Sequence, residues 1–154
     1  MTARTFVTTA VLAGAFCAAG VVPAVAQNPG QDQSFQPFRT VWDGVYTKAE
    51  ADRGKETAAR LCAGCHGTDL KGGAAPKLTG SAFFDRWVNL RLKDVVSYIQ
   101  AAMPHEQQFY VSADQTRDVI AFMLRESHVP AGHDPISPDV NVLSDILITR
   151  PAER

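Results

Sequence analysis

Cys62-Ala63-Gly64-Cys65-His66 is the stretch of this chain whose residue types and spacing name a chemistry. Two thiols three positions apart, followed at once by an imidazole, form the C-x-x-C-H pattern through which c-type haem is covalently attached. On a helical turn, positions three and four apart share a face, so both sulfurs reach one porphyrin. His66 is then placed to offer a ring nitrogen to the iron.

A zinc half-site and a redox dithiol are the other chemistries of a Cys-x-x-Cys. A structural zinc site takes four ligands. The third cysteine, Cys17, falls in a segment expected to be removed, and His105, His128 and His133 follow no zinc spacing. A thioredoxin-like pair opens a helix after a buried strand, whereas residues 51–61, ahead of Cys62, read as helical. The five-residue match favours haem over both.

The amino terminus supplies a compartment for that chemistry. Arg4 precedes an apolar run from Phe6 to Val22, and Ala24-Val25-Ala26 is a small-x-small cleavage site. Together they predict a secretory signal peptide over residues 1–26. An uncleaved membrane anchor is the alternative, weakened by Gly14, Gly20 and Pro23. Lipoprotein processing at Cys17 is disfavoured by the bulk of Phe16. Export to the periplasm suits haem attachment, because two neighbouring thiols there otherwise oxidise to a disulfide. Removing the leader takes away Arg4 alone and leaves 14 basic and 16 acidic residues, a formal charge of -2. That balance gives no nucleic-acid or membrane footprint and no span after cleavage.

The elements that position the motif follow from caps and breakers. Residues 27–40 carry Gln, Pro and Ser with little apolar content and read as a flexible lead-in. A single domain is expected over 41–132. Thr47-Lys48-Ala49-Glu50 is a capping box that starts a helix at Lys48 and carries it to Leu61. Gly67, Gly72, Gly73, Pro76 and Gly80 mark a loop that approaches a ligand closely. Short helices are expected over Ser81 to Trp87 and about Lys93 to Ala101, the second with Val95, Val96, Ile99 and Ala102 on its buried side. Pro104 stops it and leaves Met103 on a turn. Ser112-Ala113-Asp114-Gln115 is a second capping box, opening a helix through Glu126. Residues 133–154 form a tail whose Val140, Val142, Ile146 and Ile148 predict an extended arm or a strand. With no strand pattern elsewhere, the fold class is all-α: four to five short helices around one haem.

Taken together the chain resembles the small class I c-type cytochromes of bacteria over about Val41 to Gly132. The likeness is carried by Tyr46 and Gly54 ahead of the Cys62 to Gly67 stretch, by Ala75-Pro76-Lys77-Leu78-Thr79-Gly80, by Phe84, Trp87 and Met103-Pro104, and by Asp118 to Leu124. The resemblance implies thioethers at Cys62 and Cys65 and a proximal ligand in His66. It implies a Pro76 carbonyl that fixes the His66 ring, Leu78 against the porphyrin, and a Trp87 indole hydrogen-bonded to a propionate. Gly54 is expected where the first and last helices cross, near Phe122. Ala58 stands where the family usually carries an aromatic, which argues against a tight crossing.

Met103 is the candidate sixth ligand, since a soft thioether opposite histidine favours ferrous iron and reversible electron transfer. Met123 sits in a helical apolar face and reads as core. His105 is a minor competitor for the iron, and His128 and His133 read as solvated. Lys71, Lys77 and Lys93 are candidates for a basic rim, with a plain solvated face as the commoner reading, and Phe83, Phe84 and Tyr98 read as core. The expectation is therefore a periplasmic electron carrier rather than an enzyme. By resemblance it passes electrons between a quinoprotein-like dehydrogenase or quinol-cytochrome c reductase and a terminal oxidase. The alternatives are a cytochrome subunit of a dehydrogenase complex, a haem peroxidase, or a gas-binding module with a labile sixth site.

Overall fold

A computed structural model describes residues 38–104 and 110–152. The expected signal peptide, most of the lead-in and His105 lie outside the described residues. Chain order is β1 (Arg39–Thr40), α1 (Lys48–Leu61), α2 (Ala63–His66), a 3-10 turn (Thr68–Leu70), α3 (Ser81–Trp87), α4 (Leu92–Ala102), α5 (Ala113–Glu126), α6 (Val140–Ser144) and β2 (Ile146–Leu147). The architecture is the all-α one expected, enlarged by a short sixth helix and one pair of two-residue strands.

Both capping boxes form. The Thr47 side chain accepts from the Glu50 amide, and Glu50 accepts from the Thr47 amide at 2.9 Å. Ser112 and Gln115 repeat the exchange ahead of α5. These bonds satisfy amide donors that a bare helix start leaves orphaned. The two helices they open cross each other, and the crossing is tight. A Cβ on Gly54 would lie 3.0 Å from Phe122 Cβ, so Ala58, itself buried, does not loosen the contact.

One core runs through the described residues, with Tyr46, Phe83, Leu92, Ile120, Phe122 and Leu124 among its fully or almost fully buried members. Val95 is buried on α4, while Val96 and Ile99 pack against the core from partly exposed positions. Phe83 and Phe84 are core as expected; Tyr98 is half-buried.

The ends of the chain depart from expectation. Arg39 and Thr40, read as lead-in, pair in parallel with Ile146 and Leu147 of the tail. Val140 and Val142, read as part of an extended run, lie exposed on α6, whereas Ile146 and Ile148 are buried. The tail is thus a structured arm, zipped along β1 and along the segment between α3 and α4, where Asn89 and Leu90 exchange backbone hydrogen bonds with Ile148. Among the described residues no helix is long and apolar enough to cross a membrane.

Candidate cofactor site

Cys62 ends α1 and opens α2, so the Cys-x-x-Cys-His segment is one tight turn. The Cys65 and His66 amides both donate to the Cys62 carbonyl, at 3.2 and 2.9 Å. The glycine loop folds back on this turn. Gly72 N–H donates to the His66 carbonyl at 2.7 Å and Ala75 N–H to the Cys65 carbonyl at 2.8 Å. Gly67, at φ +73, lies where a Cβ would be 2.2 Å from the Gly72 carbonyl oxygen. Only a residue without a side chain admits that approach.

The loop also delivers the Pro76 carbonyl to 2.7 Å from His66 Nδ1, as the resemblance implied. A carbonyl only accepts, so Nδ1 is the protonated nitrogen and Nε2 keeps its lone pair for a metal. His66 is buried. Burial pushes the Cys62 thiol up to about 11. Without a bound metal it stays protonated at neutral pH, unlike the activated thiolate of a redox dithiol.

Two cavities, of about 510 and 310 Å³, share His66, Pro76, Leu78, Ile99, Met103 and Met123 as walls. The smaller has an almost wholly apolar lining and reaches Cys62 and Cys65. The larger adds polar groups to its lining, from Lys77, Asp85, Arg86 and Trp87. A planar, mostly apolar group that carries its charge at one edge and bonds to sulfur at another matches this division. The donors also fit haem: two thiols, an imidazole and a thioether on the walls of one space. Met103 reaches it because α4 stops at Ala102; its amide closes on the Ile99 carbonyl at 3.0 Å and the chain turns extended before Pro104.

The structure therefore gathers Cys62, Cys65, His66, Pro76, Leu78, Trp87 and Met103 around common walls. Met123 is buried, as core was expected to be, and also lines both cavities. Of the lysines, Lys77 lines the larger cavity, and Lys71 lies 3.5 Å from Asp69. His128 and His133 are exposed. Sequence reading missed Asp85, Arg86 and the site role of Tyr98. Trp87 and Tyr98 meet edge to face at 5.4 Å, and the Arg86 guanidinium lies 4.9 and 4.6 Å from their ring centroids. The available signal was the charged pair directly before Trp87 on α3.

Residues 49–123 match the family model described as cytochrome C oxidase, cbb3-type, subunit III. No curated protein and no solved structure gives a match to the chain. The family match runs from the first turn of α1 to Met123 on α5 and leaves out both strands and α6. What it covers is the bundle that walls the cavities, and so the chain carries a c-type cytochrome domain, a haem-based electron-transfer module for which haem c is the implied cofactor.

Proposed function

We propose that this protein is a periplasmic one-electron carrier in which His66 and Met103 are the axial ligands of one covalently held haem. The observation that carries the reading is that the two side chains wall the same cavities, with the His66 ring already fixed by Pro76. Haem, when bound, supplies a ferric/ferrous couple. The chain's own residues tune and protect it. Pro76 sets the His66 tautomer and increases its basicity. Leu78, Ile99 and Val119 exclude water from the apolar part of the cavity. Met103, which lines both cavities, would hold the iron position that a peroxidase or gas-binding module leaves open.

Export is supported by the leader features of residues 1–26. The partners that fit are redox proteins: a quinoprotein-like dehydrogenase or quinol-cytochrome c reductase as donor, a terminal oxidase as acceptor. A second reading, a cytochrome subunit of a larger complex, is favoured by the family's description as an oxidase subunit.

Spectra of the haem-loaded protein, with and without carbon monoxide, test the ligation. The carrier takes up carbon monoxide poorly and shows the weak methionine-to-ferric-iron band, which Met103→Ala abolishes while opening the iron to the gas. Rapid uptake by the unmodified protein overturns the reading in favour of a peroxidase or gas-binding module. Co-purification from periplasmic extract as a stable complex separates the subunit from the free carrier.

A further inference from the structure

Asp85 is, among the described residues, the one carboxylate that lines either cavity. It sits on α3 next to Arg86 and Trp87, which line the same cavity. Its partner is not drawn from the cytochrome bundle. Arg150, near the end of the arm, donates to Asp85 Oδ1 at 2.8 Å. The arm is anchored just ahead of Arg150. Leu147 O accepts from Val41 N–H at 3.0 Å, Ile148 exchanges bonds with Asn89 and Leu90, and Thr149 O accepts from the Trp42 indole N–H at 3.0 Å. Trp42 in turn stacks on Phe84 of α3, with ring centroids 5.7 Å apart and planes within 14°. The helix that carries Asp85 and the segment after β2 that carries Arg150 are therefore held in fixed register.

As a stability device this pair is weak. Asp85 is 61% and Arg150 52% exposed, and such pairs contribute little to folding. Its placement at the cavity mouth gives it another consequence. An uncompensated carboxylate there stabilises the ferric over the ferrous state, because reduction removes one positive charge from the site. We propose that the C-terminal arm tunes the redox centre, with Arg150 neutralising Asp85 and so raising the reduction potential. Arg150 is a positioning and electrostatic residue that acts through Asp85. The proposal rests on the electron-carrier reading and adds to it a regulatory element outside the stretch matched by the family model.

The test is redox titration of the haem-loaded full chain at low ionic strength. Arg150→Gln lowers the potential, changing the ratio of reduced to oxidised protein at a fixed ambient potential by a factor of about two to five, the scale of one exposed charge acting on another. Arg150→Lys retains most of the unmodified value. Asp85→Asn combined with Arg150→Gln restores the unmodified value, because no charge is left to compensate. The shift shrinks in high salt. An unchanged potential in Arg150→Gln overturns the proposal. So does a double variant that stays low, which would assign the arm a purely structural role. Failure of the unmodified protein to show any reversible couple would instead overturn the carrier reading, and the tuning proposal with it.

Discussion

A Cβ placed on Gly54 would lie 1.8 Å from the backbone carbonyl oxygen of Asp118, at the crossing of α1 and α5. Neither backbone can yield without separating the two longest helices, which also separates the walls that carry Cys62 and Met123. In Gly54→Ala two effects compete. Alanine is the better helix former by about 1 kcal/mol, while overpacking against backbone costs about 3 kcal/mol or more. The clash wins. Denaturant unfolding of the haem-loaded protein is expected to show an unfolding free energy lowered by a net of about 2 kcal/mol or more; an unchanged value would show that the helices do not meet at this point.

Tyr46 illustrates a pH dependence with a definite sign. Its hydroxyl donates to the Val129 carbonyl at 2.7 Å, and burial pushes the phenol above its ordinary value, opposed in part by the charge of Arg125. The folded state therefore holds the phenol proton more tightly than the unfolded state. Stability from this group is fully present below about pH 10 and is lost as pH rises through the folded value. Tyr46→Phe removes the donor, leaves a buried carbonyl unpaired, and costs about 1–3 kcal/mol at neutral pH. The gap between the two proteins is expected to narrow above pH 10, and parallel stability curves across that range would contradict the assignment.

What the sequence made legible is what local rules govern. Thr47 with Glu50 and Ser112 with Gln115 are three positions apart, so the bonds that start α1 and α5 are written within four residues. The cofactor turn is equally local, and the glycine loop is marked by residues whose backbone freedom it uses. The parallel pairing of Thr40 with Leu147 was not legible, since two-residue strands carry no alternation and their partners lie at opposite ends of the chain. Val140 and Val142 misled by spacing: Asp139 accepts from the Asn141 amide and nucleates a helix where the apolar pattern alone suggested extension. Asp85 and Arg86 were overlooked because their role appears only once Tyr98 and Arg150 are brought to α3 by tertiary packing.

The contrast between Ile148 and Val142 tests how the arm is seated. Ile148 is fully buried, and its two backbone hydrogen bonds, to Asn89 and Leu90, do not involve the side chain. Ile148→Ala therefore leaves the strand pairing intact and opens a cavity, at a cost of about 2–5 kcal/mol. Val142, 36% exposed on α6, is expected to tolerate the same truncation within about 0.5 kcal/mol. Equal effects in thermal or denaturant unfolding would mean that the arm is seated in a different register.

Ser127 links the end of α5 to the loop that fixes the axial histidine. Its hydroxyl donates to the Met123 carbonyl at 2.7 Å and accepts from Gly80 N–H at 2.9 Å, and the side chain is buried. Gly80 closes the loop that begins at Gly67 and presents Pro76 to His66; two residues earlier, Leu78 N–H bonds back to the Leu70 carbonyl at 3.0 Å. Ser127→Ala removes the acceptor and leaves the Gly80 amide without its partner, at a cost of about 1–3 kcal/mol. The loss falls on one end of the loop, so the Gly80 and Leu78 amides are expected to exchange with solvent faster than those of the α1 interior, by more than global destabilisation alone produces. Amide hydrogen exchange on the haem-loaded protein reads this directly. Uniform acceleration across all amides would show that Ser127 supports the fold as a whole and not the loop that holds His66.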